Sequence, residues 1–412
     1  MKRLTRRQML LAGSAALSAP WVSRFAGAAP APIRIGVLGD MLGPYSTFSG
    51  VNSISATKLA VKDFGDAHPE ILVEVVSADC QLKPDIGVSI VRNWFDTGGV
   101  DCIIDIPMSA LALGLTERCR ESNKVGLFTG TATEDLTGKF CGPNHVYWTY
   151  DSYALATTVA RALLAKKLDK WFFIAADYAM GATVVRDATA AINQGGGTVV
   201  GVVRHPFPSS GDFSSYLLQA QTSGANVVCF ANAGDDLSNS VKQAKEFGLG
   251  GPGGPVLTAM LMDVPTVKAI GLEQGQGLYY SNTFYWDLNE GTRAFTKRLL
   301  TLNNGVYPSQ NVAGAYSAAR HYLEAVAALG PDKAKDGCAV VAQMKTVPFD
   351  DPLFGHGIVR ADGRMMNNTY LFQVKRPEDS HAEWDCSTLA GTVSPEDGIR
   401  PIAAGACAMA KG

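Results

Sequence analysis

Brief apolar runs alternate along this chain with longer segments in which apolar positions recur every three or four residues. The runs cover 33–38, 71–76, 100–106, 125–129 and 146–149, and further on 171–175, 199–203, 227–230, 256–260 and 278–285. Each is short, continuous and bounded by turn-forming residues, which predicts strands buried on both faces. Helical spacing fills most of the gaps, at 85–96, 109–121, 154–167, 181–193 and 214–222. Strands alternating with helices in this way predict parallel sheets wrapped by helices through right-handed crossovers. Glycine clusters at 195–197 and 250–254 end helices and open strands. Neither has the GxGxxG spacing behind a first strand, so no dinucleotide site is predicted.

A chain of 412 residues is too long for one core. The order of elements predicts a first lobe from 33–150 plus 286–350, a second from 151–285 plus 351–400, and a tail at 401–412. Long helical patterns at 291–302 and 312–329 return the chain to the first lobe. A hairpin-like stretch (Gly357 to Arg360, a turn at Ala361-Asp362-Gly363, then 369–374) returns it to the second. The fold expected is α/β: two doubly wound parallel-sheet lobes on a three-segment hinge, with a cleft between them that closes on a small molecule.

Composition narrows the class. A formal charge of −2 and a pI near 6.3 leave no footprint for nucleic acid. Apolar residues make up 47%, with no uninterrupted run of 18, so no membrane-spanning helix is predicted. The first 29 residues differ from the rest. Lys2, Arg3, Arg6 and Arg7 precede a short apolar stretch at 9–19 and a small-residue zone, Ala26-Gly27-Ala28-Ala29. This is the form of an export signal, cleaved near Ala28 or Ala29, and TRRQMLL (5–11) resembles the twin-arginine type. The expected location is the periplasm. Eight cysteines suit an oxidising compartment, and no Cys-x-x-Cys pair occurs among them. Cys102 opens a strand and Cys119 closes the next helix, which makes a bridge between them plausible. A second pairing, Cys141 with Cys407, is also expected, leaving Cys80, Cys229, Cys338 and Cys386 as buried thiols.

Seven segments carry a family resemblance, in order along the chain: RIGVLGDMLGPYSTFSG (34–50), IDIPMSALAL (104–113), FTGTATEDLT (128–137), AADYAMGATV (175–184), ANAGDD (231–236), YWDLNEGTRAF (285–295) and GAYSAARHYLEA (314–325). The arrangement resembles the type I periplasmic binding proteins of branched-chain-amino-acid ABC transporters, with the Venus-flytrap fold. The resemblance implies capture of a solute and delivery to a membrane permease, without catalysis, cofactor or metal, by a protein that is itself monomeric.

It also implies a set of contact positions. Ser109, after Met108, opens a helix whose free amides suit a carboxylate; a plain capping serine is the other reading. Gly130, Thr131, Ala132 and Thr133 match the loop that holds the rest of a polar head group. Tyr45, Ser46 and Tyr153 wall the cleft. From the second lobe come Met180, where relatives carry an aromatic, Asn232, and the apolar stretch around Met260. Tyr285 and Trp286 add aromatic surface at a lobe crossing. The amino-acid binders place a carboxylate where this chain has Thr258-Ala259-Met260-Leu261-Met262, with Asp263 only later. A buried ammonium without a counter-ion is costly, so the expected ligand is a small organic acid, aromatic or branched-chain, rather than an α-amino acid.

Two alternatives remain. The same module serves as a ligand-sensing subunit in signalling, and an exported α/β protein can be a hydrolase. For the latter no Gly-x-Ser-x-Gly elbow and no His-Glu-x-x-His occurs. Asp40, Asp79, Asp212 and Ser214 read as caps of nearby amides.

Overall fold

Side chains alternate in direction along each strand, and that alternation sorts the chain into two sheets, each covered on both faces. The structure is a computed structural model describing residues 31–209 and 211–411. The expected export signal lies outside them. The first half runs β1 (Ile33–Gly39), α1 (Val51–Ala67), β2 (Val73–Asp79), α2 (Pro84–Asp96), β3 (Cys102–Asp105), α3 (Ser109–Glu121), β4 (Val125–Phe128) and β5 (His145–Tyr147). These strands form one parallel sheet in the order β2-β1-β3-β4-β5.

The second half runs α4 (Ser152–Ala165), β6 (Lys170–Ala176), α5 (Ala179–Gln194), β7 (Thr198–His205), α6 (Ser214–Thr222), β8 (Val227–Ala231), α7 (Gly234–Glu246), β9 (Val256–Ala259), α8 (Val264–Ile270), α9 (Leu272–Gly275) and β10 (Tyr279–Asn282). The chain then adds α10 (Glu290–Leu300), α11 (Gln310–Leu329), α12 (Gly337–Thr346), the small hairpin β11 (Phe349–Asp351) and β12 (Gly355–Gly357), then β13 (Thr369–Val374), β14 (Ser387–Val393) and α13 (Pro395–Gly398). The second sheet has the order β14-β13-β10-β9-β8-β6-β7. It is parallel through β6–β10 and antiparallel where β13 and β14 join its edge.

In the first sheet Ile35, Val37, Cys102, Ile104 and Leu127 face α1 and α11, while Leu38, Ile103 and Phe128 face α2 and α3. In the second, Trp171, Phe173, Val227 and Cys229 face α4 and α5, and Phe172, Ile174, Val228 and Phe230 face α6 and α7. Each such burial contributes about 1.5–3 kcal/mol. The alternation also corrects one pairing. Cys102 and Cys119 are both free thiols, because the Cys102 side chain points to the α1 face while Cys119 packs on the α3 face beneath Gly126. Cys141 and Cys407 are joined by a disulfide with Cα atoms 5.5 Å apart. Cys80, Cys229 and Cys386 are buried, whereas Cys338, at the start of α12, is exposed.

Three segments pass between the sheets: after β5, after β10, and before β13. The buried Arg364 ties the first to the third. It pairs with Asp151 at 2.7 Å and donates to the carbonyls of Tyr147 (3.3 Å), Trp148 (3.2 Å), Thr149 (3.1 Å) and Met365 (2.7 Å). At the second, Thr283 leaves the sheet by donating its amide and hydroxyl to Gln310 Oε1, at 2.9 and 3.0 Å, so β10 ends at Asn282 instead of running to 285. The third crossing comes later than the sequence suggests. Leu353, Phe354, Val359 and Met365 pack in the first core, because Gly355–Gly357 pairs with Phe349–Asp351 and Val359 bridges Met365. Residues 351–366 therefore pack with the first sheet, not the second. Among the described residues no helix is long and apolar enough to cross a membrane.

Candidate ligand-binding cleft

At the carboxyl end of β3 the backbone takes a course that side chains resist. Asp105 (φ 85°) and Ile106 (φ 56°) both occupy the left-handed region, at about 1–3 kcal/mol each for residues other than glycine. Their neighbours impose it. The buried Asp105 carboxylate accepts from Ser49 Oγ (2.8 Å), Gly50 N (2.9 Å) and Asn311 Nδ2 (2.8 Å). The Asp105 carbonyl accepts from Gly130 N at 2.9 Å, and Thr131 Oγ1 donates to the Ile106 carbonyl at 2.8 Å. Burial pushes the Asp105 carboxyl up to about 6 even against those donors. A Cβ at Gly130 would lie 3.0 Å from both the Asn311 amide and the Asp105 carboxylate, so glycine fits there. Beyond the turn, Met108 leads into α3, whose first residue, Ser109, is buried.

The hydroxyls of this loop are spent within the first lobe. Thr131 holds Ile106, Thr129 donates to Asn311 Oδ1 at 2.8 Å, and Thr133 Oγ1 caps the Asp135 amide at 3.4 Å. Ala132 meets the other lobe, its carbonyl accepting from Thr183 Oγ1 of α5 at 3.3 Å.

Other contacts bring the lobes together. Phe207, after β7, stacks between Tyr45 (5.4 Å) and Tyr178 (4.6 Å), and the two tyrosine hydroxyls share a hydrogen bond. Burial, with Tyr178 close by, pushes the Tyr45 hydroxyl well above its ordinary value. Gly234 has φ 61°, and a Cβ there would lie 2.4 Å from the Pro44 carbonyl, so only glycine allows this approach.

Between these contacts and the hinge a cavity of about 10 Å³ remains, roughly the room of one water. Phe48, Tyr150, Gly234, Met262, Asp263, Gln310 and Asn311 are among its lining residues. Asp263 caps α8 through Oδ1, which accepts from the Thr266 amide (3.4 Å) and hydroxyl (3.2 Å). Burial raises its carboxyl to about 6. Gln310 Nε2 is buried without a partner among the described residues. A carboxyl and an unpaired amide donor thus share one small space under an aromatic wall.

The expected contact residues separate into groups. Tyr45, Ala132 and Gly130 lie at the interface or directly behind it, and the buried Met180 is in the first turn of α5. Met260 is fully buried, and the residues after it, Leu261 to Asp263, line the cavity. Ser46 sits half-exposed in the turn after β1, and Tyr153 is half-exposed on α4. Met108 packs in the first-lobe core. Asn232 is held within the second lobe by His205 Nε2 (3.2 Å) and Ser240 Oγ (3.3 Å). Tyr285 packs on Phe372, and Trp286 donates Nε1 to the Trp384 carbonyl at 3.0 Å, with Tyr307 against its ring. Both lie outside the cavity lining. Sequence reasoning passed over Phe48, Tyr150, Gln310 and Asn311. Asp263 was visible, but its distance from the strand end hid its place at the cavity.

Comparisons with known proteins agree with this architecture. The family model for periplasmic binding protein matches residues 32–381. A periplasmic binding protein from Burkholderia mallei is 36% identical, with 92% of this chain and 99% of that one covered at a TM-score of 0.87. A branched chain amino acid ABC transporter periplasmic ligand-binding protein from Burkholderia xenovorans is 38% identical, covering 92% and 100% at a TM-score of 0.82. The Leu/Ile/Val-binding protein homolog 3 of Brucella melitensis is 30% identical over 274 residues, 66% of this chain and 67% of that protein. The chain belongs to the periplasmic binding proteins, the solute-binding components of ABC transporters.

Proposed function

We propose that this protein is exported to the periplasm by its first 29 residues and captures a small organic acid, aromatic or branched-chain, between its lobes for delivery to a membrane permease. The observation that carries the ligand class is the pairing of chemistries at the cleft. The first lobe presents a locked loop and the amino end of α3, where free amides favour a carboxylate. Facing it are Tyr178, Phe207 and Met180, surfaces for a ring or an aliphatic chain. Asp263 refines the reading. A ligand that also carries a donor, a hydroxyl or an ammonium, relieves the cost of that buried carboxyl. With Asp263 at the cavity an ammonium has a counter-ion, so an α-amino acid also fits, and the names of two relatives, Leu/Ile/Val-binding and branched chain amino acid, point the same way.

The lobes touch directly around a cavity of about 10 Å³, so entry of such an acid requires them to part and reclose. The test is a thermal-shift and calorimetric screen of the mature protein against leucine, valine, benzoate, 4-hydroxybenzoate, cinnamate and succinate. A ligand at about 100 times its Kd should stabilise the protein by roughly 2.7 kcal/mol. Saturable binding that is lost in Ser109→Ala supports the proposal. Silence across the panel, or binding indifferent to Ser109, overturns it.

A further inference from the structure

Beyond the three hinge segments, the end of the chain also runs from one lobe to the other. On the second lobe it is fixed by pairing of β14 with β13 and by two bonds to α4. Arg161 Nη1 donates to the Asp397 carbonyl at 2.7 Å and Thr157 Oγ1 to the Gly398 carbonyl at 3.3 Å. Two residues later it is fixed on the first lobe. Arg400 pairs with the buried Glu134, and its carbonyl accepts from Arg360 Nη1 at 2.9 Å. At Cys407 the chain is bonded covalently to Cys141. Glu134 also pairs with Arg186 of α5, so this one carboxylate holds both a second-lobe helix and the returning chain.

We propose that residues 394–407 form a fourth, covalently anchored connection between the lobes, and that the Cys141–Cys407 bond biases the protein toward the arrangement in which its lobes touch. The bond is a tether, not a rigid lock. The nine peptide links from Gly398 to Cys407 span at most about 30 Å when extended, so the lobes can part. The strap cannot leave the first lobe, however, and Arg400 stays near Glu134 at a high effective concentration. Each parting of the lobes must break the Arg186 contact and either the Arg400 contact or the strap's bonds to α4, and the tether makes their re-formation local.

The test needs no ligand, so its failure is distinct from failure of the proposed ligand class. Hydrogen exchange and small-angle X-ray scattering are measured on the full mature protein and on Cys141→Ser/Cys407→Ser. The expected result is about a 5- to 10-fold faster exchange confined to cleft segments 130–137 and 179–186, with a larger scattering radius. Amides of β3 and β8 should exchange at unchanged rates. Arg400→Gln, with the disulfide intact, should give a smaller rise of about 2- to 3-fold in the same segments. Unchanged cleft exchange in the double variant overturns the proposal. So does an equal rise in the cleft and in β3 and β8, since that would mark only a loss of global stability.

Discussion

The two faces of the cleft are built on opposite plans. On the first lobe Ser49, Thr129, Thr131 and Thr133 turn their hydroxyls inward, onto Asp105, Asn311, the Ile106 carbonyl and the Asp135 amide. The result is a loop locked in an unfavourable backbone course, with its polar side chains already used. On the second lobe Tyr178, Phe207 and Asp263 keep side-chain chemistry at the interface itself. Along this loop one face is a rigid frame that presents main chain, and the other is a wall that presents side chains. Apart from Ser109 at the start of α3, substitutions on the first face should therefore change stability, and those on the second should change affinity and selectivity.

The largest effect expected is from Asp105→Ala. It strands buried donors on Ser49, Gly50 and Asn311, each at about 1–3 kcal/mol, and releases the strained turn. Urea denaturation should show a loss of about 3 kcal/mol or more; a loss under 1 kcal/mol would mean the frame is not held by this carboxylate. Next is Asp263→Asn. Asparagine caps a helix about as well as aspartate, so stability should hold while affinity for leucine or 4-hydroxybenzoate falls about 10- to 100-fold, or roughly 1.4–2.8 kcal/mol. Calorimetric titration giving equal affinities would remove Asp263 from the site.

Thr131→Val separates the two plans most directly. It leaves the Ile106 carbonyl short of a donor, and stability should drop by about 1–2 kcal/mol with affinity changed less than threefold. A collapse in affinity at normal stability would show that the hydroxyl contacts ligand after all. Smaller still is Tyr178→Phe, which removes the bond to Tyr45 and should cost about 0.5–1.5 kcal/mol of lobe–lobe contact, seen as a faster off-rate in stopped-flow binding.

The pH dependence gives the finest test. Burial raises Asp105 and Asp263 from 3.8 to about 6. Each carboxyl thus binds its proton more tightly folded than unfolded. Its support for folding is complete below about pH 4 and is withdrawn as pH climbs through about 6. In Asp263→Asn the decline in melting temperature between about pH 4 and 6 should be shallower than in the parent protein. An unchanged slope would mean that this carboxyl does not titrate in that window.

Much of the fold was legible because its signals are local. The unbroken run at Val125–Phe128 meant burial on both faces, and the repeating apolar spacing of Ser109–Glu121 meant a helix, whatever lay beyond. Where the signal depended on distant partners, sequence fell short. Sequence suggests a hairpin of 357–360 with 369–374, yet Gly355–Gly357 pairs with Phe349–Asp351 in the first lobe and Thr369–Val374 with β10 and β14 in the second, because packing against each sheet decides the partners. Cys102 and Cys119 lie near each other along the chain, but the pleat of β3 sends one thiol to the opposite side of the sheet.

The candidate site divides along the same line. That glycine, small residues and hydroxyls follow β4, and that Ser109 opens α3, is written in the order of residues, because strand ends and helix starts are set by near neighbours. Whether a hydroxyl faces a ligand or its own backbone is not. Thr131 turns inward because Ile106 lies beside it across the sheet, and Tyr285 and Trp286 leave the cleft because Phe372 and Trp384 cover them. Asp263 reaches the cavity because the second lobe brings it opposite Asn311, 48 residues further along the chain. Local chemistry chose the elements. The meeting of surfaces far apart in sequence chose which atoms face the gap, since only packing decides which polar groups find partners within their own lobe.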